Sequence, residues 1–274
     1  MHRLSIIIPV YNEGANFPGL WKELSTLVKA DFIAYIVHDS DKDDTLPVVN
    51  EIIAAGESRL RTVKNQRGPG VAAAIMTGFD SVPDGPALVV MADLSDDLAQ
   101  VDRMMALYSE GYHVVVGSRY MKGGRLIGGP FLKQLLSRLA GTSLCLLRGV
   151  PTHDATNAFK IYDRAMVKSF KVESKGGFEL NLELTVKAFL AGYRITEVPS
   201  TWRDRTSGQS RFRLWKWLPY YLRWYFYAFR RKSPDREAGL IQSATLPKNS
   251  GDGSVHTDPY QQPAHKSSSS QSGE

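Results

Sequence analysis

Residues 87–97 read Ala-Leu-Val-Val-Met-Ala-Asp-Leu-Ser-Asp-Asp, an apolar run that stops abruptly at acidic and hydroxyl side chains. An apolar run without polar alternation suits a strand covered on both faces, as strands are in parallel sheets. Four further β-rich runs lie at 4–10, 33–39, 60–64 and 113–118, and segments of helical period separate them at 17–29, 71–79 and 101–109. Strands spaced about 25–30 residues apart with helices between them predict βαβ units, hence an α/β fold with a Rossmann-like, mostly parallel sheet flanked by helices. In such sheets ligands bind beyond the carboxyl ends of the strands, so the chemistry is expected in the residues that follow each run.

Length and composition fit that picture. The chain has 274 residues, 43% hydrophobic and 23% charged, which suits one catalytic domain with an appendage and excludes a wholly disordered or wholly membrane-embedded chain. A single cysteine, Cys145, sits in the apolar run 144–147, so neither a disulfide framework nor a cysteine metal site is expected. The N-terminal residues enter a short apolar strand directly, without a signal-peptide pattern, and point to a cytoplasmic protein. A net charge of +6 and a pI of 9.3 call for an anionic partner.

The second half changes character. Helices are expected near 131–147 and 179–191, with a turn at 151–157 and a strand at 193–199. Residues 205–231 hold seven basic residues, ten aromatics and no acidic residue. That segment is too short and too charged to span a membrane, but aromatic and basic side chains favour the headgroup region of an anionic surface. The expectation is a peripheral, amphipathic anchor on the cytoplasmic face of a membrane, with a core-packing helix as the alternative. A stacking platform for nucleic acid fits the same composition, but no nucleic acid is expected. Residues 232–274 are rich in Ser, Gly, Pro and Gln and read as a disordered tail. The expected divisions are therefore 1–204, 205–231 and 232–274.

Four motifs carry chemistry. Asp39-Ser40-Asp41-Lys42-Asp43-Asp44 places four carboxylates in six positions after the second strand, where either a cation site or a solvated helix-capping turn is expected. It is not an EF-hand, because that loop requires Gly at its sixth position and Glu at its twelfth, and here these are Asp44 and Asn50. Arg67-Gly68-Pro69-Gly70-Val71-Ala72-Ala73 resembles a dinucleotide fingerprint, although Asn65-Gln66-Arg67 separate it from its strand. Asp93-Leu94-Ser95-Asp96-Asp97 offers oxygen ligands for Mg²⁺ or Mn²⁺ bridging two phosphates. Gly117-Ser118-Arg119-Tyr120 follows the fifth run.

Together with Pro9-Val10-Tyr11-Asn12-Glu13, these landmarks resemble, in order and spacing over residues 3–213, the family 2 glycosyltransferases of GT-A fold, within them the polyprenyl-phosphate hexose synthases. The resemblance implies an inverting transfer of a hexose from a nucleotide diphosphate sugar to a polyprenyl phosphate or related lipid. Pro9, Tyr11, Glu13, Asp39, Gly70 and Asp93 would bind the donor, and Asp93 with Ser95 would hold the metal. Arg119 would face the diphosphate or sugar, and Asp154 would join it in the catalytic set. Lys133, Ser137, Arg205, Ser210 and Arg211 would line the acceptor-phosphate site. Two expected acidic positions are Met91 and His38, which weakens the metal site, and Lys133 stands where the family carries arginine. An NAD(P)-dependent oxidoreductase and a non-catalytic nucleotide-sugar binding protein are the rival readings.

Overall fold

The computed structural model describes residues 2–174, 177–204 and 214–230. The first half runs β1 (Leu4–Val10), α1 (Phe17–Leu27), β2 (Phe32–His38), α2 (Thr45–Ala54), β3 (Leu60–Lys64), α3 (Val71–Ser81) and β4 (Pro86–Val89). It continues through α4 (Val101–Ser109), β5 (Val114–Ser118), β6 (Arg125–Ile127) and the long α5 (Phe131–Arg148). The remainder is β7 (Lys160–Asp163), α6 (Arg164–Ser169), α7 (Glu179–Leu190), β8 (Ile195–Pro199), β9 (Thr201–Arg203) and α8 (Leu214–Tyr227).

The main sheet has the order β3-β2-β1-β4-β7-β5-β8. All its neighbours are parallel except β7, which runs antiparallel between β4 and β5. The sheet is mostly parallel, as expected, and its one antiparallel strand is central and was not foreseen, because its four residues Lys-Ile-Tyr-Asp give no long apolar signal. β4 is also shorter than the run 87–93: pairing ends at Val89, and the buried Val90 and Ala92 lead into the acidic turn. A second, two-stranded parallel sheet joins β6 to β9.

Core packing follows from β1, buried at every position. Ile6 and Ile8 face one apolar layer with Phe17, Leu20 and Met104, and Ile7 faces the opposite layer with Ile75, Phe79 and Leu180. Burying each such side chain stabilises the fold by about 1.5–3 kcal/mol. The chain order reverses between β1 and β4, and at such a switch point the loops after neighbouring strands diverge and leave a crevice.

A third apolar cluster joins α5, α7 and α8 through Leu144, Leu182, Val186, Trp224 and Ala228. Pro219 lies inside α8 without ending it. Arg148 donates from Nε to the Ala228 carbonyl at 2.7 Å, satisfying an acceptor beyond the last turn of α8. The aromatic segment is therefore divided: Trp224 is 1% exposed and packs inward, while Phe226 is 65% exposed. The tail 232–274 lies outside the described residues. Among the described residues no helix is long and apolar enough to cross a membrane.

Gly141 lets α5 approach the loop after it, because a Cβ there would stand 2.1 Å from the His153 carbonyl oxygen. Gly141→Ala is expected to lower unfolding stability by about 1–3 kcal/mol through overpacking, measured by urea denaturation.

Candidate functional site

The acidic run after β2 is largely consumed in building loops. Asp43 is buried and accepts from the backbone N–H of Asn12 at 3.1 Å and of Thr45 at 2.9 Å. Asp44 accepts from the Gly14 N–H at 2.9 Å, and the Thr45 hydroxyl accepts from the Glu13 N–H at 2.9 Å. Asp41 pairs with Lys64 on the surface. These contacts fix the segment after β1, which turns through a left-handed Asn12 at φ 55° and presents an exposed Tyr11 beyond the buried Pro9. The Glu13 carboxylate accepts from the Asn16 side chain at 2.7 Å. Asp39 accepts from Asn65 at 2.7 Å and from the Gly70 N–H at 2.9 Å, so the glycine loop is tied to the end of β2. His38 is buried, and its Nδ1 lies 3.0 Å from the Ser40 carbonyl, to which a proton on Nδ1 would be donated.

The turn after β4 is compact and charged. Leu94 adopts φ 61°, a strained left-handed conformation for a branched residue, and so folds Asp93 against Ser95. The Ser95 hydroxyl donates to Asp93 Oδ1 at 2.6 Å. Asp96 bends back to accept from the Met91 N–H at 3.0 Å, and Asp97 accepts from the Thr201 N–H at 3.1 Å. Asp96 is 8% exposed, and burial pushes its carboxyl up to about 7; the Met91 N–H opposes this and the Asp93 charge adds to it. Among the described residues no group of three His, Cys, Asp or Glu side chains forms a ready cage for a metal. Two buried neighbouring carboxylates nevertheless fit a hard divalent ion, which takes one or two carboxylates and completes its shell with phosphate oxygens and water.

Opposite the acidic turn stands a buried ion pair. Asp154 is fully buried and accepts from Arg119 three times: from the backbone N–H at 3.0 Å, from Nε at 2.7 Å and from Nη2 at 2.8 Å. Burial alone lowers the Arg119 pKa, but the charge and hydrogen bonds of Asp154 outweigh it and hold the guanidinium above its ordinary value. Arg119 Nη2 also reaches the Ser137 hydroxyl at 3.2 Å, and Ser137 lies 2.7 Å from the Thr156 hydroxyl. Asp154 is thus a positioning residue for Arg119, and the structure brings Arg119, Asp154 and Ser137 together.

A cleft of about 480 Å³ opens beside Arg119, between β6 and α5. Phe131, Gln134, Leu135 and Arg138 line it from one face of α5, at the i, i+3, i+4, i+7 spacing. Lys122 and Arg125 line the opposite wall. Among the described residues no ion pair engages Lys122, Arg125 or Arg138. Sequence reasoning missed these three cations, and only the spacing of Arg138 from Phe131 could have indicated one of them. Lys133 lies off the cleft-lining row, one turn before Ser137. Arg205, Ser210 and Arg211 lie outside the described residues.

Besides the cleft-lining Phe131 and Leu135, α5 exposes Leu132, Leu139, Leu146 and Leu147, and α8 exposes Leu222 and Phe226. The two helices are joined by a 2.9 Å contact between the hydroxyls of Ser143 and Tyr225. An exposed apolar row of this size on a surface helix marks an interaction surface.

The model of the family described as Glycosyl transferase family 2 matches residues 5–170. A polyprenol monophosphomannose synthase of Mycolicibacterium smegmatis is 29% identical over 76% of this chain and 80% of its own length. A dolichol-phosphate mannosyltransferase of Pyrococcus furiosus is 24% identical over 77% of this chain, which spans 59% of that longer protein. Among solved structures, a glucosyl-3-phosphoglycerate synthase of Mycobacterium tuberculosis, in complex with Mn²⁺, UDP and glucosyl-3-phosphoglycerate, superposes with a TM-score of 0.60. Identity is 15%, and 85% of this chain and 81% of that one are covered, so this likeness concerns the fold.

Removing one partner of a buried ion pair strands the other charge. Asp154→Ala is expected to lower unfolding stability by about 3–5 kcal/mol in urea denaturation, whereas Asp41→Ala, at the exposed pair, leaves the midpoint unchanged.

Proposed function

The chain belongs to glycosyl transferase family 2 and is a hexosyltransferase, and on that premise we propose that it moves a hexose, mannose or glucose, from a GDP- or UDP-sugar to a polyprenyl phosphate by single displacement with inversion. The observation that carries this reading is the Arg119–Asp154 pair at the head of a cation-lined cleft whose mouth is apolar. An amphiphilic phosphate suits such a cleft: its head meets Arg119, Lys122, Arg125 and Arg138, and its chain lies along Phe131 and Leu135.

A phosphate monoester is already anionic near neutral pH, so its oxygen needs little general-base help to attack the anomeric carbon. The protein's task is to hold two anions together and neutralise the departing diphosphate. Pro9, Tyr11, Glu13, Asp39 and Gly70 form the donor wall, of which Asp39 fixes the glycine loop. Asp93, oriented by Ser95, and Asp96, folded onto the backbone of Met91, would hold Mg²⁺ or Mn²⁺, which when bound supplies positive charge to the leaving phosphates. Arg119 stands between the two sides, since its charge acts on Asp96 while its Nη2 touches Ser137. Lys133 and Ser137, with Arg205, Ser210 and Arg211, complete the acceptor set.

The apolar faces of α5 and α8, flanked by Arg138, Arg148, Arg223 and Arg230, favour a peripheral position on the cytoplasmic face of a membrane. A lipid acceptor would then slide from the bilayer into the cleft without leaving its apolar surroundings.

Incubation with labelled GDP- and UDP-hexoses and a polyprenyl phosphate, with and without Mn²⁺, should place label in the lipid phase. Asp93→Ala should lower that transfer about a hundredfold or more, and Asp96→Ala should shift the Mn²⁺ titration to higher concentration. Absence of label in the lipid with every donor would overturn the lipid-phosphate reading. In a separate assay, flotation with anionic vesicles should recover the wild type and fail for a Leu139→Asp, Phe226→Asp double variant.

A further inference from the structure

Lys160, the first residue of β7, has no exposed surface, and an amine so placed demands an explanation. Its Nζ donates to the Ala155 carbonyl at 2.7 Å, to the Thr185 hydroxyl oxygen at 2.8 Å and to the Asn181 carbonyl at 3.3 Å. The Thr185 hydroxyl gives its own proton to the Asn181 carbonyl at 2.7 Å. All three partners therefore face Nζ as acceptors, which an ammonium satisfies and a neutral amine, with two N–H groups, does not.

The position of these acceptors links two parts of the molecule. Ala155 follows Asp154 directly, in the loop that presents the carboxylate to Arg119, and Asn181 and Thr185 belong to α7. The loop has other supports: the Thr152 hydroxyl and His153 N–H donate to Glu197 at 2.9 and 2.7 Å, and Asn157 donates to the Gly117 carbonyl at 2.6 Å. Among the described residues Lys160 supplies the hydrogen bonds that tie it to α7, beside the apolar cluster that Ala155 shares with Leu182 and Val186. We propose that Lys160 is a positioning residue for sugar transfer, its ammonium pinning the Ala155 carbonyl to α7 so that Asp154 holds Arg119 in register with the cleft. The role assigned to Arg119 rests on the function proposed above.

The charged groups that act on Nζ are Asp154, which favours the ammonium, and Arg119, which opposes it, while burial pushes the amine down to about 7. The neighbouring Tyr162 phenol is pushed upward by burial and stays neutral through this range. The three-donor form is thus held below about pH 7 and lost above it.

Two readouts test the role. In the first, Lys160→Met should lower kcat for hexose transfer by about 10–100-fold, the cost of a small misplacement of a reacting group, with the donor KM changed less than twofold. Lys160→Arg should restore most of kcat and remove the alkaline decline expected of the wild type. In the second, hydrogen exchange read by mass spectrometry should show faster exchange across residues 152–157 in Lys160→Met, with β1 unchanged. Thr185→Val should show a weaker form of both effects, and it serves where Lys160→Met does not fold. Wild-type kcat in Lys160→Met, or unchanged exchange in the 152–157 loop, would overturn the proposal. Should the wild type transfer hexose to no lipid phosphate, the proposed function fails and the exchange readout still decides the role of Lys160.

Discussion

The bidentate contact between Arg119 and the fully buried Asp154 organises the second half of the molecule. A buried carboxylate without a cation is too costly to keep, and a guanidinium at a cleft floor without an anion would swing into solvent. Each therefore fixes the other. The loop 152–157 must lie close to α5 for this to happen, which is why Gly141 has no room for a side chain and why Ser137 meets both Arg119 and Thr156. The helix that supplies Ser137 also supplies the apolar row facing outward, so one element serves the ion pair, the cleft and the exposed surface.

The first half uses its charge differently. Of the four aspartates after β2, three bond to backbone N–H groups and one to a surface lysine. Their work is to hold the segment after β1 and the glycine loop at the carboxyl edge of the sheet, where a donor would lie. The acidic turn after β4 brings the buried Asp93 and Asp96 together, and burial with the Asp93 charge raises the Asp96 carboxyl. The Asp96 carboxylate accepts from the N–H of Met91, the position where the family carries an acid, so negative charge returns to that point from five residues further along the chain.

Periodicity made β1, β2 and β5 legible, because strands buried on both faces are written as continuous apolar runs, whereas the largely exposed β3, Leu-Arg-Thr-Val-Lys, was marked by its spacing from its neighbours. Periodicity could not show that β7 runs antiparallel: Lys160 is polar by composition yet fully buried, its charge absorbed by three acceptors that only the fold assembles. The positions of Asp93, Arg119, Asp154 and Ser137 followed from motif order, but the pairing of Arg119 with Asp154 is a contact over 35 residues and leaves no trace in local pattern. Lys122, Arg125 and Arg138 escaped for the same reason, since the cleft they line exists only once β6 pairs with β9 across the chain. The aromatic segment looked uniform in sequence, and packing against α7 divided it into a buried Trp224 and an exposed Phe226.

The central claim is that Arg119, held by Asp154, receives the acceptor phosphate. Phosphorus NMR of a short-chain prenyl phosphate titrated with the protein tests it most directly. The wild type should shift and broaden the monoester resonance, and Arg119→Lys, which keeps the charge but loses the planar fork, should leave it unshifted while still binding the nucleotide. An equal shift with both proteins would contradict the account.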